Sequence, residues 1–150
     1  MVSGALIREY KTTDREELVR LLCLNIPTFF APAEQQDFEQ YLDLKSEMYF
    51  VFEYVGKIVG CGGINFVQER TIGKISWDVF HPDYQNMSLG TMLLQHRINI
   101  LKSIPSIRQI TVRTSQLAFG FYQKKGFRLV EVVKDYWAEG FDLYSMEYAS

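Results

Sequence analysis

Much of what a chain of 150 residues can carry is missing here. There are only two cysteines, Cys23 and Cys61, too few for a disulfide scaffold, and neither has the spacing of a metal-binding cluster. No apolar run reaches the roughly 20 residues needed to span a bilayer. No charged, apolar and small-residue sequence of the kind that directs secretion stands at the start. The formal net charge is only −2 and the pI near 5.7, so no global electrostatic reason exists to bind nucleic acid or an anionic membrane. Neither GxxxxGK[ST] nor GxGxxG occurs, which removes the two commonest nucleotide fingerprints. The expectation is a cytoplasmic protein with reduced thiols, no metal, no nucleic-acid partner and no membrane partner. Cys61, in "VGCGGI", reads as a buried structural thiol.

What is present is a globular composition, 47% hydrophobic with 11 Phe and 9 Tyr, in a length that suits one domain, residues 1–150. A first strand is expected at 6–10. "TDRE" at 13–16 has the form of a capping box, with Thr13 and Glu16 as its pair, opening a helix to about Leu24. A second helix is expected over 33–44. "YFVFEYV" and "KIVGCGGINF" form two β-rich runs joined through Gly56-Lys57, with a bulge or a close backbone approach signalled by Gly62-Gly63. "ISWDVF" at 75–80 is a third strand of this group. A helix over 91–103 follows the loop "HPDYQNMSLG", and then comes a strand in "IRQITVRTS". Ser115 is placed to cap a short helix in "QLAFGFYQKKG" that Gly126 ends at C′. Strands at 127–133 and 142–148 close the chain. The order β-α-α-β-β-β-α-β-α-β-β predicts an α/β (α+β) fold. Its sheet is mixed and mostly antiparallel, of about seven strands with helices on both faces, and contains one right-handed crossover.

The loop before the central helix invites an anion, because the first amides of a helix lack intrahelical partners and carry the positive end of its dipole. Asn, Ser and Gly are equally ordinary turn and cap residues, so the loop alone decides nothing. Two blocks taken together say more. "VFHPDYQNMSLGTMLL" and "AFGFYQKKGF" resemble the GCN5-related N-acetyltransferase family, in order and over nearly the whole chain. In that family a V-x-P-like strand end leads into a Q/R-x-x-G-x-G/A loop that cradles the pyrophosphate of acetyl-CoA. Ala118, Tyr122, Gly126 and Phe127 fit its A-x-x-x-Y-x-x-x-G-F pattern, the more specific of the two.

The resemblance implies the acyl-CoA N-acyltransferase fold and transfer of acetyl from acetyl-CoA, a co-substrate, to a primary amine. The acceptor would be a small molecule or a peptide or protein end, and a homodimer is compatible with the reading. The cofactor would meet backbone groups of Val79 and Phe80, the loop from Gln85 through Asn86, Met87, Ser88, Leu89 and Gly90 to Thr91, and Ser115 and Tyr122. Ser88 stands where the family has its first loop glycine, and would serve if its φ is negative. Asn86 replaces another common glycine, and Ser115 a common asparagine. Tyr122 is the expected acid for the departing thiolate. For deprotonating the amine, Asp78 acting through a water is the first candidate, with Glu69 and Glu53 as alternatives. His81 suits a structural turn. Phe29, Phe30, Tyr136 and Trp137 would form the acceptor pocket or simply cover the sheet. A non-catalytic acyl-CoA-binding module is the competing interpretation.

Overall fold

A computed structural model describes residues 3–85 and 87–149. Seven strands form one sheet: β1 (Ala5–Glu9), β2 (Met48–Tyr54), β3 (Lys57–Val67), β4 (Ile72–Phe80), β5 (Gln109–Thr114), β6 (Phe127–Ala138) and β7 (Phe141–Tyr148). Their spatial order is β1-β2-β3-β4-β5-β7-β6, and every neighbouring pair is antiparallel except β4 and β5. Four helices cover it: α1 (Arg15–Cys23), α2 (Glu34–Gln40), α3 (Leu89–Lys102) and α4 (Phe119–Lys124). This is the mixed, mostly antiparallel architecture expected from the sequence.

The two faces bury separate apolar sets, which is why β2 shows an unbroken buried run rather than simple alternation. Leu18, Leu22, Phe38 and Leu42 of the α1 and α2 side pack on Tyr49, Val51, Cys61 and Val79. Leu93, Leu94, Ile98 and Leu101 of α3 and Tyr122 of α4 pack on Phe50, Phe52, Ile64, Ile75 and Val112. No helix among the described residues is long and apolar enough to cross a membrane.

Several local expectations need correction. The β2–β3 turn is Val55-Gly56, not Gly56-Lys57, because both turn residues adopt positive φ, 49° and 75°, as a type I′ hairpin demands. Thr13 and Glu16 do not cap α1. Asp14 closes a 3-10 turn instead, accepting the Lys11 amide at 2.9 Å while Arg8 grips both its oxygens. Residues Tyr41–Lys45 continue α2 as a π turn, and α3 begins two residues earlier than its apolar spacing suggested. The strand β6 extends to Ala138, past the expected 133. The Gly62-Gly63 irregularity is present: the β3–β4 register slips between Cys61 and Gly63, so Trp77 and Asp78 together face Gly62.

Candidate active site

Parallel pairing between β4 and β5 runs only from Ile72↔Gln109 to Ile75↔Val112, although β4 continues to Phe80 and β5 to Thr114. The unpaired ends diverge, leaving backbone groups exposed between them. A cleft of about 830 Å³ opens there, bounded by the start of α3, the α1–α2 connection, α4 and the β6–β7 turn.

The bulge in β4 aims the side chains at this cleft. Trp77 takes φ 48°, a left-handed value rare for a bulky residue. Its ring packs with Phe30, Phe38 and Tyr41 on the α1/α2 side, where Val79 is also buried. Asp78 therefore points the opposite way, toward α3 and α4, as alternation suggested. It is not a solvated carboxylate. Its Oδ2 accepts a hydrogen bond from the Tyr122 hydroxyl, and its Oδ1 lies 2.6 Å from Nη2 of Arg97, whose side chain is fully buried. Burial, reinforced by the neighbouring Asp78 charge, pushes the Tyr122 phenol well above its ordinary value near 10, with Arg97 opposing. The hydroxyl therefore holds its proton at neutral pH. The alternative bases are elsewhere: Glu53 pairs with Arg8 at 2.5 Å on β2, and Glu69 sits in the β3–β4 turn; neither lines the cleft.

At the other end, α3 is 14 residues long and begins at Leu89, so its first free amides belong to the stretch from Ser88 to Thr91, the Met87 amide being taken by the Tyr84 carbonyl at 3.3 Å. Ser88 is its N-cap with φ 63° and ψ 15°, contrary to the negative φ that would make serine an easy replacement. Serine here adopts the conformation that glycine takes without cost. Gly90 lines the cleft, and a Cβ there would meet only Phe121 at 3.6 Å and Phe80 at 3.9 Å, ordinary contacts. The fold itself would accept alanine there. Leu89 and Val79 have buried side chains and can offer only backbone groups. Met87 is partly exposed, and Thr91 lies in the first turn. Asn86 lies outside the described residues.

Gln85 and Phe80 both line the cleft. The Gln85 amide donates to Asn25 Oδ1 at 3.2 Å and to the Phe80 carbonyl at 3.3 Å, while Asn25 donates to the same carbonyl at 3.0 Å. Asn25, buried at the end of α1, thus ties β4 to the loop; nothing in the sequence reading pointed to it. His81 accepts the Asp83 amide at 3.1 Å, the structural turn role expected. Ser115 lines the cleft, and its Oγ accepts the Leu117 amide at 3.2 Å in the turn before α4; it does not cap that helix, whose N-cap is Ala118 with no side-chain bond.

The four aromatic residues considered for the acceptor divide. Phe29 and Trp137 line the cleft, the indole anchored by donation to the Thr114 carbonyl at 3.1 Å. Phe30 lines it with one face and stacks on Trp77 with the other. Tyr136 does not line it; its hydroxyl accepts from Arg113 at 2.6 Å, and its ring stands at right angles to Trp137. The Cys61 thiol is buried and pushed up to about 12 by desolvation, which leaves it inert as a nucleophile.

Comparison with known proteins converges on this geometry. Residues 16–127 match the model of the acetyltransferase (GNAT) family. An N-alpha-acetyltransferase of Sulfurisphaera tokodaii is 29% identical, covering 93% of this chain and 90% of that protein. An amino-acid acetyltransferase of Pasteurella multocida is 26% identical over 86% of this chain, which spans only 33% of that longer relative. Among solved structures, Arabidopsis thaliana Naa50 in complex with the bisubstrate analogue CoA-Ac-MVNAL superposes with a TM-score of 0.75 at 16% identity, covering 98% of this chain and 99% of that one. With a splayed parallel strand pair, a glycine-bearing loop on a helix start and a tyrosine on the short helix opposite, the chain belongs to the acetyltransferase (GNAT) family.

Proposed function

We propose that the protein moves the acetyl group of acetyl-CoA to an α-amino group by direct attack, with both substrates bound together. The observation that carries this is the Tyr122–Asp78 hydrogen bond at the mouth of the β4–β5 divergence, which puts a proton donor and a proton acceptor side by side in the cleft.

The residues present fit acetyl-CoA. Backbone amides from Ser88 to Thr91 would meet its pyrophosphate, the edge of β4 beyond its pairing with β5 would meet its pantetheine arm, and Gln85 and Ser115 would make polar contacts along it; the Phe80 carbonyl itself is already taken by Asn25 and Gln85. The bound thioester supplies an activated acyl carbon. The acceptor, as free amine, attacks that carbon; a C–N bond forms and the C–S bond breaks. Tyr122 gives its proton to the departing sulfur. The proton lost from nitrogen passes through water to Asp78 Oδ2, and from there to the Tyr122 oxygen, so the pair ends as it began. No acyl-enzyme is needed, in keeping with the inert Cys61.

The α-amine is favoured by the N-alpha-acetyltransferase relative, which this chain matches over most of both lengths. The cleft suits a peptide end: Phe29, Trp137 and Phe141 offer apolar walls, and Asp37 is among the lining residues for a cation. A free α-amino acid is the second reading. It is favoured by Lys74, half-buried in the same cleft beside Arg113, with no carboxylate partner among the described residues. Release of CoA thiol separates the two when measured with short peptides, free amino acids and an alkyl amine. Turnover with α-amines, peptides fastest, is expected; transfer confined to the alkyl amine would refute the proposal.

A further inference from the structure

We propose that Arg97 is a positioning residue for acetyl transfer, holding Asp78 so that one carboxylate oxygen is fixed and the other is left to Tyr122. The inference rests on the roles given above to Tyr122 and Asp78.

Arg97 interrupts the most apolar face of α3, between Leu93, Leu94, Ile98 and Leu101, and is fully buried. A guanidinium in such a place is costly, and a well-packed apolar residue would stabilise the fold as well or better. Its contacts show what the charge achieves. Nε donates to the Leu93 carbonyl at 3.2 Å and Nη1 to the Gly63 carbonyl at 3.1 Å, which fixes the plane of the group. Only Nη2 then remains for Asp78, and it lies 2.6 Å from Oδ1 as a buried ion pair without hydrogen-bond alignment.

The backbone is shaped around this contact. A Cβ at Gly62 would lie 2.2 Å from Asp78 Oδ1, 2.9 Å from Arg97 Nη1 and 3.1 Å from its Cζ, so the ion pair rests on a residue that has no side chain. Across the ladder, the left-handed Trp77 turns Asp78 onto the α3 side. A bare floor, a strained bulge and a buried cation all converge on one carboxylate.

During turnover the Tyr122 proton leaves for sulfur while the proton from nitrogen arrives at Asp78. Between those events phenolate and carboxylate stand together. Arg97 balances that charge and keeps Oδ2 within reach of the phenol oxygen. It touches neither substrate.

The test is a cycle of R97M, R97K, Y122F, D78N, R97M/Y122F and R97M/D78N, with kcat, both KM values, acetyl-CoA affinity by calorimetry and thermal unfolding. R97M is expected to lower kcat by about ten- to a hundredfold, with KM values nearly unchanged, and R97K to recover part of the loss. In the Y122F background R97M should cost less than about twofold more, since the two residues serve one proton transfer. If R97M alone fails to fold, R97M/D78N set beside D78N decides, because it removes both buried charges at once; it should fold and turn over within about twofold of D78N, since Arg97 acts through Asp78. A large further loss in R97M/D78N over D78N, or an undiminished R97M penalty in Y122F, would overturn the proposal. Wild-type kcat in Y122F itself would instead remove the acid role on which the proposal rests.

Discussion

Tyr122 and Asp78 stand 44 positions apart in the chain and share a hydrogen bond inside the cleft. One arrives on the short helix α4, the other on a bulge in β4. The bond does two things: it satisfies a buried phenol that would otherwise be unpaired, and it lets Asp78 keep the phenol protonated. A donor held in its protonated form next to a carboxylate suits a reaction in which one proton must be given and another received.

The conformation of Ser88 leads to a test of the loop. With φ at 63°, serine occupies a region costing a side chain about 1 kcal/mol, more for a β-branched one. Ser88→Gly should match or exceed the wild type in thermal stability and bind acetyl-CoA at least as tightly. Ser88→Val should lose about 1–2 kcal/mol and bind it more weakly. A Val variant as stable and as tight as the Gly variant would contradict the geometry.

Much of this was legible in the sequence. "AFGFYQKKGF" placed Tyr122 and its C′ glycine, and Gly126 does adopt φ 100°. Alternation around Asp78 gave the side it faces. What escaped was nonlocal. Arg97 stood in plain view as a charge at helical spacing from Leu93, Leu94 and Leu101, but its partner is 19 residues away on another element, and no local periodicity names it. Asn25 likewise acts through a carbonyl on β4. The turn falls at Val55-Gly56 because Tyr54 pairs with Lys57, a register that the residue types do not announce, and the φ of Ser88 is left open by the sequence. Tyr136 was grouped with Trp137 by adjacency, yet neighbours on a strand point to opposite faces.

Buried tyrosines give the protein an alkaline weakness. Burial raises the phenols of Tyr41, Tyr49 and Tyr122 above their unfolded value near 10. The folded state then keeps protons that the unfolded state releases, so stability is intact below about pH 10 and falls above it. Cys61, raised to about 12 from 9, adds the same trend beginning near pH 9. Urea midpoints at pH 8 and pH 10.5 should differ, the latter being lower. Equal midpoints would contradict the burial of these groups.

The thiols should separate sharply under a disulfide reagent at pH 8. Cys23 is exposed and should react at once, whereas Cys61 should react only after denaturation. Rapid reaction of both would mean that the β3–α1 contact is looser than described.

Trp137 supplies the acceptor test. Its indole is pinned to Thr114 and its ring walls the cleft. Trp137→Ala should raise acceptor KM by about three- to tenfold while leaving acetyl-CoA affinity unchanged. An unchanged acceptor KM would restrict the ring to covering the sheet.

The central claim is that the Tyr122 hydroxyl protonates the departing sulfur. Single-turnover transfer from saturating acetyl-CoA, compared between wild type and Tyr122→Phe with the cofactor Kd measured alongside, tests it most directly. A loss of about a hundredfold or more in the rate is expected, with Kd unchanged and a fold that still melts cooperatively. A phenylalanine variant that transfers acetyl at the wild-type rate would contradict it.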